Sequence, residues 1–325
     1  MAVNDVIVST RSRIARNIKG INFPSALTAE ADKDAIINTA RNALSGDRFS
    51  IIKVGDIERQ SLQQLINRRL ISPEFAQDNE NEAVLSSEMD SCVMLDEEDH
   101  FRIQSFRDGF DPEGSYDAVK EIAALLGENC EFAHADKLGY ITSCPINLGT
   151  GLRISVIAHL PIITATGAVS GVLNSLGKMG ISVRSVFGEG SGSIGDFYQI
   201  SNQVSLGITE EKIISNLKNA VSAVEQKERD MRGMIYENNR ISVEDKIMRA
   251  YGILRNARLM ELKEAAELLS LLNVGISLGM FKELSHDDVY NIVMNIAPGT
   301  AGTDTDDADE TEQRADTIRK ALGGK

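Results

Sequence analysis

The sequence has few of the residues that metal sites and disulfide frameworks need. Its 325 residues include three cysteines, four histidines and no tryptophan, and neither Cys-x-x-Cys nor His-Glu-x-x-His occurs. The cysteines, at positions 92, 130 and 144, are odd in number and have no metal-binding spacing. We therefore expect no disulfide framework and no zinc site, and a reduced, cytoplasmic setting.

Long apolar runs and excess positive charge are also missing. The most apolar region, residues 154–169, is interrupted by His159 and Pro161, and it does not supply the ~20 apolar residues of a membrane-spanning helix. The N-terminus has no basic segment followed by an apolar core, so we expect no signal peptide. A net charge of −14 argues against general nucleic-acid binding, which needs a positive surface.

Glycine-rich nucleotide-binding loops are absent or misplaced. No Gly-x-x-x-x-Gly-Lys-Ser/Thr occurs, which excludes a P-loop. The single Gly-x-Gly-x-x-Gly, at residues 190–195, precedes an apparent strand, whereas the dinucleotide fingerprint opens a helix. Any nucleotide must therefore be held by side chains.

Hydrophobic periodicity predicts an α+β region followed by a helical region. In the first we predict strands over residues 5–9, 83–95, 100–106, 138–143, 181–186 and 197–204, and helices over 28–45, 58–70, 114–127 and 169–179. From Thr209 onward we predict helices over 209–234, 242–257, 260–273, 285–295 and 312–322, with a flexible acidic segment at 298–311. We place the domain boundary after residue 230, which gives domains of 1–230 and 231–325.

Five arginines lie on or beside predicted strands, namely Arg11, Arg13, Arg102, Arg184 and Arg153, which starts a further predicted strand. Arg11 and Arg13 are two residues apart, so on an extended segment they share one face. Arginine stays ionised and donates two parallel hydrogen bonds to phosphate, which suits the charge spread over a phosphoryl group in transfer. Any one of these residues is more often a solvated surface charge, but together they indicate a phosphate site.

A thiol and two carboxylates accompany the arginines. Cys144 opens the run Cys-Pro-Ile-Asn-Leu-Gly-Thr, whose composition indicates a tight, exposed turn, whereas we interpret Cys92 and Cys130 as buried structural thiols. Glu98 lies in a Glu-Glu-Asp run, and Glu189 lies between two glycines, which suits a mobile loop. Acids in such runs are more often solvated charges, and we treat these two as candidate bases.

These stretches resemble the phosphagen (guanidino) kinases, and more closely the bacterial branch of that family, the protein arginine kinases. The resemblance covers roughly residues 6–275 and is most specific at the cysteine motif. Residues 9–17, 97–103 and 188–202 resemble the first arginine pair, the acidic-His-Arg segment, and the mobile loop with its following strand. The resemblance implies an antiparallel sheet flanked by helices, followed by a helical C-terminal domain.

The resemblance also implies the roles of the site residues. The five arginines would clamp the ATP phosphates, Glu98 and Glu189 would orient and deprotonate the acceptor guanidinium, and Cys144 would contact it as a thiolate. Mg²⁺ would arrive with ATP and retain waters, since we see no protein cage for it. The implied partners are protein substrates with exposed arginine, a zinc-finger activator, a Clp-type protease that degrades the marked proteins, and a second copy in a homodimer.

Two positions depart from the family pattern. The third residue of the cysteine motif is usually Ser or Thr, whose hydroxyl supports the thiolate, but here it is Ile146, and we expect lower activity. The branch also has a C-terminal phosphoarginine-binding motif, Arg-Asp-x-x-Arg-Ala. Residues 310–315 here are Glu-Thr-Glu-Gln-Arg-Ala, and the leading acid would repel a phosphate. The sequence therefore does not predict phosphoarginine sensing at this stretch.

Two alternatives to an ATP-dependent protein arginine kinase stay open. A kinase of a free guanidino compound would use the same chemistry. The small-molecule kinases of the family, however, begin with a helical domain that helps to enclose the substrate, whereas the first arginine pair here lies at residues 11 and 13. A non-catalytic adaptor that delivers phosphoarginine proteins to a protease is supported only by Ile146. We expect the protein arginine kinase.

Overall fold

The centre of the fold is an eight-stranded sheet in which every neighbouring pair of strands is antiparallel. The structure is a computed structural model that describes residues 4–186, 194–296 and 308–324. The sheet strands are β1 (Ile7–Arg16), β2 (Phe49–Lys53), β3 (Glu82–Ser86), β4 (Ser91–Leu95), β5 (Phe101–Asp108), β8 (Leu152–His159), β9 (Ile181–Ser185) and β10 (Phe197–Asn202). Their spatial order is β2-β3-β4-β5-β1-β8-β10-β9, so β1 lies in the middle. Two short strands, β6 (His134–Ala135) and β7 (Gly139–Tyr140), pair separately.

Nine helices are described around the sheet. They are α1 (Glu30–Ala43), α2 (Arg59–Asn67), α3 (Pro112–Gly127), α4 (Pro161–Ala165), α5 (Val169–Gly177), α6 (Glu210–Asn256), α7 (Leu262–Ser277), α8 (His286–Ile296) and α9 (Ala308–Ala321). Thr209 caps α6, because its hydroxyl accepts a hydrogen bond from the amide of Lys212 at 3.3 Å. The predicted antiparallel sheet with flanking helices and a helical C-terminal part is therefore confirmed. No helix among the described residues is long and apolar enough to cross a membrane.

The two faces of the sheet have different characters, because alternate residues of a strand point to opposite faces. On the first face, Ile14 of β1 lies opposite Ile103 of β5 and packs in the main core with residues of α3 and α6 such as Val119 and Leu217. Ser12, two residues earlier on β1, hydrogen-bonds to Ser115 of α3 at 2.7 Å. The second face therefore carries the other set of β1 residues, which includes Arg11 and Arg13.

The C-terminal helices cover one end of this second face. Ile157 and Phe197, from β8 and β10, pack in a second core with Leu269 of α7 and Ile292 of α8. A buried polar chain joins the same elements: the His159 ring at the end of β8 hydrogen-bonds to Ser270 and Asn273 of α7, at 2.8 and 3.0 Å. The helical part is thus packed directly against the sheet at the His159 end of β8, and Arg13 and Arg153 lie towards the other end of that face.

Several predicted bounds need correction. The predicted strand over 83–95 is two strands, β3 and β4, joined by a turn in which Met89 adopts a φ of 55°, so alternation alone hid the turn. Strand β2 was missed, and the strand predicted over 138–143 shrinks to Gly139–Tyr140. Helices predicted over 209–234 and 242–257 are one helix, α6, with a local irregularity at Asn239.

The C-terminal stretch also differs from its prediction. Of the predicted flexible segment 298–311, residues 298–307 lie outside the described residues, while α9 already begins at Ala308. Acidic residues favour the N-terminal end of a helix, which accounts for the earlier start. Arg314, which the sequence placed in the altered phosphoarginine motif, is buried and donates a hydrogen bond to the carbonyl oxygen of Met260 at 3.0 Å.

Candidate active site

Strand register brings the five predicted arginines to one face of the sheet. Residues directly opposite each other on antiparallel strands project to the same face. Arg13 of β1 lies opposite Arg153 of β8, and Arg102 of β5 lies opposite Ala15, which shares the face of Arg11 and Arg13. Arg184 of β9 reaches the same face through Gln199 of β10, Ile157 of β8 and Ser9 of β1, which lie opposite one another in turn.

On the arginine face, burial and the repulsion between neighbouring positive charges disfavour the charged form of the arginines. Burial holds the pKa of Arg11 well below its usual range, and the charges of Arg13, Arg69, Arg102 and Arg153 lower it further. Burial likewise lowers the pKa of Arg13 to about 10, with further lowering from Arg102 and Arg153. Because like charges that are close and partly desolvated repel strongly, this face is suited to a polyanion.

Buried nitrogens of the same arginines lack partners. Glu97 forms an ion pair with one terminal nitrogen of Arg102, and Arg153 donates to the hydroxyl of Ser201 at 3.2 Å. The Nε atoms of Arg102 and Arg153 are nevertheless buried with no hydrogen-bond partner within the described ranges. A buried donor without an acceptor costs free energy. A bound phosphate oxygen would accept hydrogen bonds from these Nε atoms and remove that cost.

The predicted thiol and carboxylate lie beside this face. Asn147 connects the two sides: its Oδ1 accepts from Arg13 Nη2 at 3.4 Å, and its Nδ2 donates to Glu98 Oε2 at 3.5 Å. Both groups also act on Arg153. Burial lowers the pKa of Arg153, and the charges of Cys144 and Glu98 oppose that shift. Cys144 is half-buried and Glu98 is exposed, so both are accessible from the open side of the face.

The cysteine loop is held by hydrogen bonds within the loop and by hydrogen bonds to Asp99. The amide of Asn147 donates to the carbonyl of Cys144 at 3.0 Å, and the Thr142 hydroxyl donates to the same carbonyl at 2.8 Å. Asp99 accepts from the amide of Ser143 at 2.7 Å and from the Asn17 side chain at 2.7 Å. Asp99, next to Glu98 in the chain, thereby ties the Glu98 segment to the cysteine loop.

Close backbone approach explains the glycine at the end of the motif. Gly149 has a φ of +108°, and a Cβ placed there would lie 2.4 Å from the carbonyl oxygen of Ser205. Beside it, the Arg16 guanidinium stacks 3.4 Å over the Tyr140 ring and donates to the carbonyl of Thr150 at 3.0 Å. Gly149 of the motif is therefore required by packing, while its Cys and Asn face the site.

Glu189, the second predicted carboxylate, lies outside the described residues. The described chain resumes at Ile194, where Asp196 accepts a hydrogen bond from Ser270 of α7 at 2.7 Å. The structure therefore brings together Arg11, Arg13, Arg102, Arg153, Arg184, Glu98 and Cys144 and leaves the position of Glu189 as a prediction.

Sequence reasoning missed Arg69 and Asn17. Arg69 follows the end of α2 with a φ of 60°, a left-handed conformation that the sequence does not announce, and its charge acts on Arg11. Asn17 was read only as part of a motif, yet its side chain binds Asp99 and the amide of His100 at 2.7 and 2.9 Å. Both contacts join residues far apart in sequence, so no local pattern could have found them.

Two family models match this chain. A family model described as "ATP:guanido phosphotransferase, C-terminal catalytic domain" matches residues 33–231, more than half of the chain. The chain belongs to the ATP:guanido phosphotransferase family. A second model, described as the "Protein-arginine kinase McsB C-terminal domain", matches residues 240–324 of this guanido phosphotransferase.

Curated relatives agree with the family models. The guanido phosphotransferase is 38% identical over 304 residues to a protein-arginine kinase of Caldanaerobacter subterraneus subsp. tengcongensis, covering 90% of this chain and 89% of that one. It is 35% identical over 328 residues to the protein-arginine kinase of Halalkalibacterium halodurans, covering 98% and 92%.

Solved structures share the sheet and its helices. The duplicated taurocyamine kinase from Schistosoma mansoni, with bound transition-state-analogue components, matches with a TM-score of 0.61 and 28% identity. That match covers 72% of this chain, which spans only 34% of the duplicated enzyme. A lombricine kinase matches with a TM-score of 0.60 and 24% identity, over 71% of this chain and 69% of that one, and shows the fold alone.

Proposed function

We propose that this protein transfers the γ-phosphoryl group of ATP to arginine side chains of proteins. The observation that carries the proposal is the Asn147 bridge, which joins Arg13 on the phosphate side to Glu98 on the acceptor side. It sets a polyanion-binding face directly against a carboxylate and a thiol. The names of the curated relatives, protein-arginine kinases, support a protein acceptor.

The proposed roles divide along the same line. Arg11, Arg13, Arg102, Arg153 and Arg184 hold the ATP phosphates, with the unpartnered Nε atoms of Arg102 and Arg153 as additional donors. Preorganised cations of this kind stabilise the charge that develops on the transferred group. We also propose that the catalytic part comprises residues 1–230 and the helical domain residues 231–325.

On the acceptor side, Glu98, Cys144 and Glu189 hold the target guanidinium. Its nitrogen is a poor nucleophile because the lone pair is delocalised, so the site must align it and accept a proton. As that nitrogen attacks the γ-phosphorus, the P–N bond forms and the bond to the β–γ bridging oxygen breaks. ADP leaves with that electron pair, and the nitrogen proton passes to a carboxylate.

Mg²⁺ fits this site as part of the nucleotide substrate. The described residues contain no group of three or more His, Cys, Asp or Glu that could hold a metal ion. We propose that Mg²⁺ enters with ATP and keeps several waters, as it does in many phosphoryl-transfer sites, where its charge adds to that of the arginines.

We further propose the cellular context that the family resemblance implies. The protein acts in the cytoplasm in protein quality control, as a homodimer, with a zinc-finger activator and a Clp-type protease as partners. The acidic sequence, with a net charge of −14, supports recognition of basic, arginine-bearing proteins.

A free guanidino acceptor is the competing function, and one observation favours it. A solved structure that matches this fold at 28% identity is named as a taurocyamine kinase. Turnover of free arginine or taurocyamine at rates equal to or above those for an arginine-containing protein would select this alternative.

The decisive experiment combines the purified protein with ATP, Mg²⁺ and casein and measures acid-labile phosphoarginine by mass spectrometry. We expect phosphoarginine with the wild type and its loss in Glu98→Gln and Glu189→Gln. The matched control is Glu128→Gln, an exposed residue at the end of α3, which should keep full activity. No product from the wild type, or full activity in Glu98→Gln, would reject the proposal.

A further inference from the structure

Four large apolar side chains are exposed on three loops beside the cysteine motif. Leu138, Ile146, Val204 and Leu206 each have between 43% and 54% of their surface exposed. None belongs to the catalytic groups proposed above. Exposed apolar residues that occur singly need no explanation, but several on adjoining loops indicate an interaction surface.

Hydrogen bonds fix these three loops relative to one another. The Ser205 hydroxyl donates to the carbonyls of Ile146 and Leu148 at 2.6 and 2.9 Å. The Tyr140 amide donates to the carbonyl of Gly149 at 2.8 Å. The loop carrying Cys144 is thus closed at its base by residues 140 and 149, and the loop carrying Leu206 is bonded along its side. The apolar surface is therefore rigidly placed with respect to Cys144.

A groove of about 350 Å³ lies at the base of the cysteine loop. Its lining includes the apolar or aromatic residues Leu138, Tyr140, Leu206 and Ile208, together with His134, Lys137 and Glu210, and most of the exposed lining surface is apolar. A groove of this size is within the range of sites that bind organic groups. Ile146 lies nearer the tip of the same loop, two residues from Cys144, and extends the apolar surface towards the acceptor position.

We propose that this groove binds apolar side chains that flank the target arginine in a polypeptide substrate. This inference rests on the proposed function and names the substrate class more narrowly. The occupant follows from continuity: the base of the loop that presents Cys144 to the guanidinium also lines part of the groove, at Tyr140, Gly149 and Thr150. From the tip to the base this loop spans four or five residues, at most ~13–17 Å of extended chain. A bound polypeptide would therefore reach the groove within about four residues of its arginine.

The groove also gives Ile146 a role. A hydroxyl side chain at this position would support the thiolate, whereas an exposed isoleucine contributes contact area to a neighbouring apolar group. A free guanidino compound held at Cys144 is too short to fill the groove, so this surface is useful only for a polymeric substrate.

The test compares two peptides of equal length and charge, each with one arginine, flanked on both sides by leucines in one and by serines in the other. We expect the wild type to phosphorylate the leucine peptide with a kcat/KM about tenfold higher. Leu206→Ser and Leu138→Ser should each lower this preference about fivefold, while the rate on the serine peptide changes less than twofold. The control is Ile241→Ser on α6, whose side chain is 84% exposed, and it should keep the wild-type preference.

The outcomes distinguish failure of this inference from failure of the proposed function. Equal rates on the two peptides, or an undiminished preference in folded Leu206→Ser and Leu138→Ser, would overturn the inference alone. Loss of self-association in these variants with an unchanged peptide preference would also overturn it and assign the groove to a second copy. Absence of phosphoarginine on both peptides and on casein would overturn the proposed function and this inference together. Thermal unfolding of each variant establishes that it is folded.

Discussion

Replacing Arg11 by methionine should stabilise the ligand-free protein while weakening ATP binding. Burial is the main cause of the lowered pKa of Arg11, and the charges of Arg13, Arg69, Arg102 and Arg153 lower it further. No ion pair of Arg11 is present within residues 4–186, 194–296 and 308–324. Its guanidinium lies 5.9 Å from the centre of the Phe106 ring, a contact that a methionine sulfur can replace.

The expected magnitude follows from the charges. At an effective dielectric constant of about 20, two like charges roughly 8–10 Å apart repel by about 2 kcal/mol before salt screening. Several such neighbours and partial desolvation act on Arg11, while lost packing and hydration offset part of the gain. We expect Arg11→Met to raise the free energy of unfolding by about 1–2 kcal/mol. Loss of a charge-assisted hydrogen bond to phosphate should weaken ATP binding about 10- to 100-fold.

Urea denaturation with and without Mg²⁺-ATP measures both effects. At an ATP concentration about 100 times the wild-type dissociation constant, the wild type should gain about 2.7 kcal/mol, and a variant that binds tenfold more weakly about half as much. The control is Arg249→Met, an exposed arginine paired with Asp245 on α6, which should behave as the wild type. If Arg11→Met destabilises the ligand-free protein, or keeps the full gain with ATP, the electrostatic reasoning is wrong.

Three further predictions test other parts of the site and its frame. Glu98→Gln should lower kcat for phosphoarginine formation at least about 100-fold, with ATP affinity by calorimetry unchanged or tighter, because a carboxylate that opposes the phosphates is removed. Gly149→Ala should cost about 2 kcal/mol or more in urea denaturation, since its Cβ would lie 2.4 Å from the Ser205 carbonyl oxygen. Gly171→Ala, in α5, adds a carbon with no described atom within 4 Å apart from its chain neighbours and its own helix backbone, and should be neutral or stabilising. Burial lowers the pKa of His159 to about 3, so the unfolded chain takes up a proton that the folded protein refuses, and stability falls as pH drops from about 6.5 towards 3. Between pH 6.5 and 5 the free energy of unfolding should fall by about 1.5 kcal/mol more for the wild type than for His159→Gln. Equal losses for the two proteins in denaturation titrations at these pH values would contradict this assignment.

The shared face of Arg11 and Arg13 was predictable because their spacing is local. Two arginines two apart on a strand must share a face, and the register confirms that Arg153 joins them directly opposite Arg13. The link through Asn147 was not predictable, since it joins β1, the Glu98 segment and the cysteine loop across more than 130 residues of sequence. Such contacts follow from tertiary packing, which propensity and periodicity do not encode.

The helical part was predicted in outline and missed in detail for a similar reason. The sequence predicted two helices, over 209–234 and 242–257, yet α6 continues through the gap between them with one irregular residue, Asn239. Its first half is anchored by long-range contacts: Arg232 binds Asp5 at 2.8 Å, and the buried Glu228 accepts from the amides at the start of α4 at 3.1 and 2.9 Å. Tertiary contacts override such local predictions.

The position of the site on the sheet follows from what covers the rest of its face. Strand β8 carries Arg153 near one end and His159 at the other, on the same face. At the His159 end, α7 supplies Ser270 and Asn273 to the ring, and Ser270 also donates to Asp196. Both ring nitrogens of His159 are bonded to α7, so this end is closed to solvent and the ring stays neutral. At the Arg153 end, the buried Nε atoms of Arg102 and Arg153 have no partner among the described residues. Among the described residues, the C-terminal helices therefore cover the His159 end of the face and leave the stretch where the arginines, Glu98 and Cys144 meet. One side of a continuous sheet is thus core at one end and a candidate polyanion site at the other.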